Sequence, residues 1–316
     1  MSMEYETIAK RLETISAIPV TPFHPVTKRI DWAALEQNIH FLLEQGLQVI
    51  VPCGNTSEFY SLTLEEAKAE IAKVVEIVNG RALVVAGVGY STETAILLGE
   101  YAQAAGADAV MIHQPIHPYA TSRGVYTYFK TVIESLAIPS VLYFKDPHIS
   151  DDILLQLALL PKLVGIKYAV NDLPRFAQLC RNMPKHSSVK LICGTAEKWA
   201  PFFLTAGASG FTSGLVNVHP TLSFELLQAF RSGNMAAMWA IWEKTVPFEN
   251  LRAKYNNGNN VVVVKEAMNQ IGHYAGATRE PVDPLDERDR AEVRAILEGW
   301  GLPTARSGDN ERPRSH

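Results

Sequence analysis

Cysteine is scarce in this chain: three among 316 residues, at Cys53, Cys180 and Cys193, with no C-x-x-C pair. An odd and scattered set gives no disulfide framework, and Cys53 and Cys193 fall in apolar, strand-like runs. All three are therefore expected to be reduced, in a cytoplasmic protein. No apolar run approaches the roughly 20 residues that span a bilayer, so no membrane association is expected. The first eleven residues hold Glu4, Glu6, Lys10 and Arg11 in place of a signal-peptide core. Positive charge is not in excess either. Against 33 Asp and Glu there are 29 Lys and Arg, a net charge of -4 that speaks against a nucleic-acid surface. A glycine-rich dinucleotide turn is also missing, since Gly87-Val88-Gly89 lacks the third glycine.

What the chain does have is a recurrence. Short apolar runs appear at Ser16–Val20, Val49–Cys53, Ala82–Val88, Ala109–His113, Ser140–Phe144, Leu163–Lys167, Lys190–Cys193 and Gly210–Thr212. Most are continuous rather than alternating, as parallel strands covered on both faces must be. Helical stretches lie between them, with start signals at Asp31, Thr63 (followed by Glu66), Ser150-Asp151-Asp152 and Asn171-Asp172, and with Gly80 and Gly106 as stops. Eight strand–helix units predict a (β/α)8 TIM barrel over residues 1–232. A doubly wound open sheet is the alternative. After Gly233 the pattern is helix only, at Asn234–Tyr255, Val261–His273 and Asp286–Trp300, a three-helix C-terminal extension over residues 233–303. Residues 304–316 are polar and predict a disordered tail. Met235, Met238, Trp239 and Trp242 fall at helical spacing and read as packing, against the barrel or a subunit interface.

In such a barrel, chemistry gathers at the carboxyl ends of the strands. The second, fifth and sixth ends supply hydroxyls at Thr56 and Ser57, the Tyr143 phenol and the Lys167 amine. Lys167 closes an apolar run, where desolvation lowers an amine's pKa and makes it a nucleophile toward carbonyl carbon. The plainer reading is a lysine that snorkels into solvent. Lys145 lies on the same face as Tyr143 if the strand continues. It reads either as a cation that binds the distal carboxylate of a sugar diacid or further depresses Lys167, or as a rim lysine paired with a surface acid. Asp146 would brace that loop. His113, His117 and His148 with Asp146 suggest a metal cluster, but Pro115 separates the first two and no metal is expected. Thr195 and Ser213, beside Gly194 and Gly214, read as binders of substrate hydroxyls or of phosphate.

Gly54-Asn55-Thr56-Ser57-Glu58, Tyr143 and Gly165-Ile166-Lys167, with Ile18-Pro19-Val20-Thr21-Pro22-Phe23 and Val85-Ala86-Gly87-Val88-Gly89, resemble the dihydrodipicolinate synthase / N-acetylneuraminate lyase family. The resemblance implies a cofactor-independent Schiff-base lyase acting on pyruvate or a 2-oxo-3-deoxy sugar acid, and a homodimer or homotetramer. Lys167 would form the Schiff base, Tyr143 would relay protons, and Asn55 and Thr56 would hold the carboxylate beside the ketone. Two departures stand out. Asn55 occupies the place where many members have a first threonine, and His148 the place of the arginine that binds aspartate semialdehyde in the synthases. The tyrosine supplied by a neighbouring subunit falls near His117 and Tyr119. Glu58-Phe59-Tyr60-Ser61-Leu62-Thr63 and Tyr143-Phe144-Lys145-Asp146 are more similar to the 5-dehydro-4-deoxyglucarate dehydratase branch. A true 4-hydroxy-tetrahydrodipicolinate synthase and a non-catalytic 2-oxo-acid-binding protein are the alternatives.

Overall fold

The computed structural model describes residues 3–304. Apart from Thr304, the tail predicted to be disordered lies outside the described residues. Eight strands form a closed, all-parallel barrel in chain order. They are β1 Ile15–Ala17, β2 Val49–Ile50, β3 Leu83–Val88, β4 Ala109–His113, β5 Ser140–Phe144, β6 Leu163–Tyr168, β7 Lys190–Cys193 and β8 Gly210–Ser213. Every strand residue except Lys190 is buried. This is why the runs read as continuous: one face meets helices and the other fills the barrel.

The first two strands are shorter than the sequence predicts. Each ladder gains one further bond, Ile18 N–H to Ser213 and Val51 N–H to Ala17. It then meets Pro19 and Pro52, which have no N–H to donate. The loop that leaves β2 there holds Asn55, Thr56 and Ser57.

Helix α1, Met3–Arg11, precedes β1 and closes the barrel floor. Ile8, Ala9 and Leu12 pack with Val85, Val141, Val164 and Ile192, and the floor is a core rather than a pore. The crossovers are α2 Trp32–Glu44, α3 Leu64–Val78, α4 Thr92–Ala105, α5 Ser122–Ser135, α6 Asp152–Leu157, α7 Leu173–Asn182 and α8 Ala196–Ala206, and α9 Pro220–Arg231 follows β8. Asp31 caps α2, and Thr63 and Glu66 form the reciprocal capping box of α3. Asp172 caps α7. Gly106, at φ 96°, ends α4, whereas Asn79 takes the left-handed place at the end of α3 with Gly80 one residue on.

The extension comprises α10 Met235–Asn257, α11 Asn260–Gln270 and α12 Glu287–Gly299. Helical geometry in α10 already fails at Lys254, and Tyr255, Asn256 and Asn257 all have positive φ. Phe248, Leu251, Val263 and Leu297 share one packed cluster with Val20, Leu215 and Leu222, so the chain boundary at Gly233 does not divide the core. The aromatic stripe on α10 splits. Met238 is fully buried, Trp242 donates to the Lys198 carbonyl, and Met235 and Trp239 stay partly exposed. No helix among the described residues is long and apolar enough to cross a membrane.

Candidate active site

Tyr143 and Lys167 are direct register partners on β5 and β6. Two residues below them, Val141 faces Gly165, whose missing side chain makes room for Leu12 from the floor. Strand periodicity therefore aims both side chains into the barrel, on top of a filled core. Lys167 Nζ lies 4.2 Å from the centre of the Tyr143 ring, and both residues are buried. A Cβ on Gly194 would approach Lys167 Cγ to 3.0 Å and the Tyr168 carbonyl to 2.9 Å, so glycine there keeps the lysine's path open.

Above the pair opens a cavity of about 700 Å³. Asn55, Thr56, Tyr143, Lys145, Lys167 and Thr195 all line it, as the sequence predicts. Two other predicted residues do not. Ser57 is folded beneath its loop and donates to the Pro19 carbonyl at 2.6 Å. Ser213 turns away from the barrel to donate to Glu197, and its neighbours Thr212 and Gly214 line the cavity instead. The cause is strand alternation, since adjacent residues cannot both face inward.

The far wall comes from residues that sequence reasoning missed: Asn171, Lys198, Glu249, Arg252 and Asn260. Three of these belong to the extension. Arg252 is almost wholly buried, pairs with Glu249 at 2.7 Å, and reaches both the side chain and the carbonyl of Asn260. The available signal was an i,i+3 acid–base pair one turn before the Asn-Asn-Gly-Asn-Asn break.

The electrostatics favour a neutral amine at Lys167. Burial pushes Lys167 down to about 7, with the Lys145 and Arg252 cations adding to the effect and Cys193 opposing it. Burial likewise lowers Lys145, whose ammonium lies 5.7 Å from the Tyr60 ring and 5.9 Å from that of Tyr143. Tyr143 is pushed up to about 12 by burial, tempered by a hydrogen bond from Asn55, so the phenol keeps its proton at neutral pH. Asn55 Nδ2 donates to the phenol oxygen at 2.9 Å, which leaves the phenol's own hydrogen free to point at a ligand. Asn55 Oδ1 is buried with no hydrogen-bond partner among the described residues.

The histidines are not gathered as a ligand set. His113 stacks on Phe59, with centroids 4.3 Å apart, and its Nε2 lies 2.9 Å from the Cys53 carbonyl. A carbonyl only accepts, so that nitrogen carries the hydrogen; burial holds the ring neutral, down to about 3. His117 and His148 are exposed, and His148 lies outside the cavity. Among the described residues no group of three or more His, Cys, Asp or Glu could hold a metal ion.

Residues 11–299 match the model of the dihydrodipicolinate synthetase family. The chain belongs to that family. The 4-hydroxy-tetrahydrodipicolinate synthase of Methanoculleus marisnigri is 33% identical over 288 residues, 89% of this chain and 97% of the relative. That of Pseudomonas aeruginosa is 32% identical over 90% of this chain and 96% of its own length. Among solved structures, the dihydrodipicolinate synthase of Oceanobacillus iheyensis is 58% identical with a TM-score of 0.93, covering 94% of this chain and 99% of that one. The Bacillus clausii enzyme is 58% identical with a TM-score of 0.92, covering 93% and 100%. As a member of the dihydrodipicolinate synthetase family, this chain is a lyase of the class I aldolase type acting on a small 2-oxo acid.

Proposed function

We propose that Lys167 is the Schiff-base lysine, Tyr143 its proton carrier, and a hydroxylated 2-oxo-3-deoxy acid the substrate. The observation that carries this is the register pairing of Tyr143 with a buried, acidified Lys167 at the base of a polar cavity. The neutral amine adds to the ketone carbon, and the ketone oxygen leaves as water after taking one proton from the attacking nitrogen and one from the Tyr143 side. The protonated imine that remains draws electrons from the adjacent carbon, so carbon–carbon cleavage, addition or loss of water can follow. Asn55 and Thr56 hold the carboxylate, with Lys145 and Thr195 reaching the substrate's distal groups.

The substrate class rests on the cavity. It is far larger than pyruvate, its wall carries Asn171, Thr195, Lys198 and Asn260, and His148, at the position where the synthases carry arginine, lies outside it. A second reading is condensation of pyruvate with aspartate semialdehyde, which the names of the relatives favour. Screening 2-oxo-3-deoxy sugar acids and diacids beside pyruvate plus aspartate semialdehyde separates the two. Turnover of a sugar acid with negligible condensation supports the first reading, and robust condensation overturns it. We also propose a homodimer or homotetramer in a reducing compartment. Exposed Ile116 and Tyr119 on the loop after β4, 58% and 86% accessible, and unpaired buried Cys53 and Cys193 support it.

A further inference from the structure

Arg252 does more than brace the end of α10. Its guanidinium carries five N–H hydrogens. Glu249 takes one from Nη1, the Asn260 side chain one from Nη2, and the Asn260 carbonyl the one on Nε. One hydrogen on each terminal nitrogen remains. A Cβ placed on Gly214 would lie 2.8 Å from Arg252 Nη2 and 3.2 Å from Thr56 Oγ1. The guanidinium and the hydroxyl therefore flank one small space over Gly214, and all three residues line the cavity that holds Lys167. The Thr56 hydroxyl has no hydrogen-bond partner among the described residues, although the residue is 4% exposed. Glycine is not required there by the backbone, because φ and ψ of -95° and -24° suit any residue. What a side chain at that position would occupy is the space between the two donors.

We propose that Arg252, supplied by the C-terminal extension, is a specificity-determining residue that pairs with Thr56 across Gly214 to bind the carboxylate adjacent to the reacting ketone. The donors match the ligand. A carboxylate takes a planar guanidinium and a hydroxyl as charge-assisted partners. Glu249 and Asn260 fix the fork in advance, so little freedom is lost on binding. This arrangement also answers the departure at Asn55: with its amide engaged by Tyr143, the loop has fewer hydroxyl donors, and a cation from across the barrel replaces what it lacks.

The inference rests on Lys167 forming the Schiff base, and its test keeps the two apart. Borohydride trapping is followed against the concentration of pyruvate and of pyruvamide, its neutral isostere, in the wild type, G214A and R252M. Trapping in the wild type establishes the lysine chemistry; its absence there defeats that reading and this one with it. Given trapping, the wild type half-saturates at much lower pyruvate than pyruvamide. R252M raises the half-saturating pyruvate about ten- to a hundredfold, G214A, whose Cβ crowds Arg252 Nη2 and fills the space between the two donors, raises it in the same direction, and neither changes the pyruvamide value comparably. A purely structural Arg252 lowers thermal stability in R252M and leaves the pyruvate-to-pyruvamide ratio as in the wild type, which overturns the proposal. If R252M does not fold, an unchanged ratio in G214A overturns it alone.

Discussion

Three influences converge on one nitrogen at Lys167: loss of solvent, the Lys145 ammonium and the Arg252 guanidinium. Trapping of pyruvate should therefore rise with pH through about 7 and level off above it, since only the neutral amine attacks. Lys145→Met removes one of the two cations, so the midpoint of that profile should move to higher pH and trapping at pH 7 should slow. The same lowered pKa has a consequence for stability. An amine that resists protonation in the fold but not in the unfolded chain destabilises the fold below its folded pKa, and the effect disappears as pH rises toward the unfolded value. Lys167→Met should accordingly raise the melting temperature at pH 6 while abolishing trapping. A fall in melting temperature would contradict the burial argument. Tyr143→Phe removes the proton carrier and should slow adduct formation by about a hundredfold or more, with binding of the 2-oxo acid largely kept.

At the scale of elements, the loop between β2 and α3 is held from beneath. Thr21 has one hydroxyl hydrogen and two oxygen neighbours, the Ser57 carbonyl and Glu70 Oε2, each 2.7 Å away. The carbonyl can only accept, so both contacts are met when Glu70 carries a proton and donates to Thr21. Burial, which pushes Glu70 up to about 7, agrees with that count. The sign follows. The unfolded chain ionises near the ordinary carboxylate range and the fold does so only near 7, so the contribution of Glu70 to stability is lost as pH rises through that window. Glu70→Gln should flatten this part of the stability–pH curve, seen as a smaller drop in melting temperature between pH 5 and 8 than in the wild type.

Beside it, Lys265 ties the same loop to the extension through Glu58, at 2.5 Å, and through the carbonyls of Thr21 and Ala277. Arg279 clasps Glu66 with both terminal nitrogens, reaches the carbonyls of Lys28 and Ser61, and lies over the Phe23 ring. Arg279→Met should destabilise the protein by about 2 kcal/mol in denaturant unfolding, because it removes several charge-assisted hydrogen bonds to part-buried acceptors. Amide exchange in the loop at 59–62 should rise with it. None of this bracing of the loop could be read from sequence, since apart from Ala277 the partners of Lys265 and Arg279 lie more than 200 residues away. What could be read was local: the caps at Asp31 and Thr63, the apolar strands, and the residues at strand ends. The same rule misled at Ser213, where strand parity, invisible without knowing which residue ends the ladder, turned the hydroxyl away.

For the whole molecule, the repeat of strand and helix carried the fold, because a parallel barrel must write continuous apolar runs at crossover spacing. The extension was legible as helices but not as part of the cavity. A helix pattern shows which face is apolar, and says nothing of where one buried Arg–Glu pair lands after the chain has circled the barrel. The paired surfaces of an oligomer should likewise appear in solution: sedimentation should give a dimer or tetramer, and a monomer at working concentration would remove that part of the proposal. The measurement that bears most directly on the account is peptide mass spectrometry after borohydride reduction with pyruvate or a 2-oxo-3-deoxy acid. The account predicts one stable adduct, on Lys167, absent from Lys167→Met. An adduct elsewhere, or none on folded wild-type protein with either ligand, would contradict it.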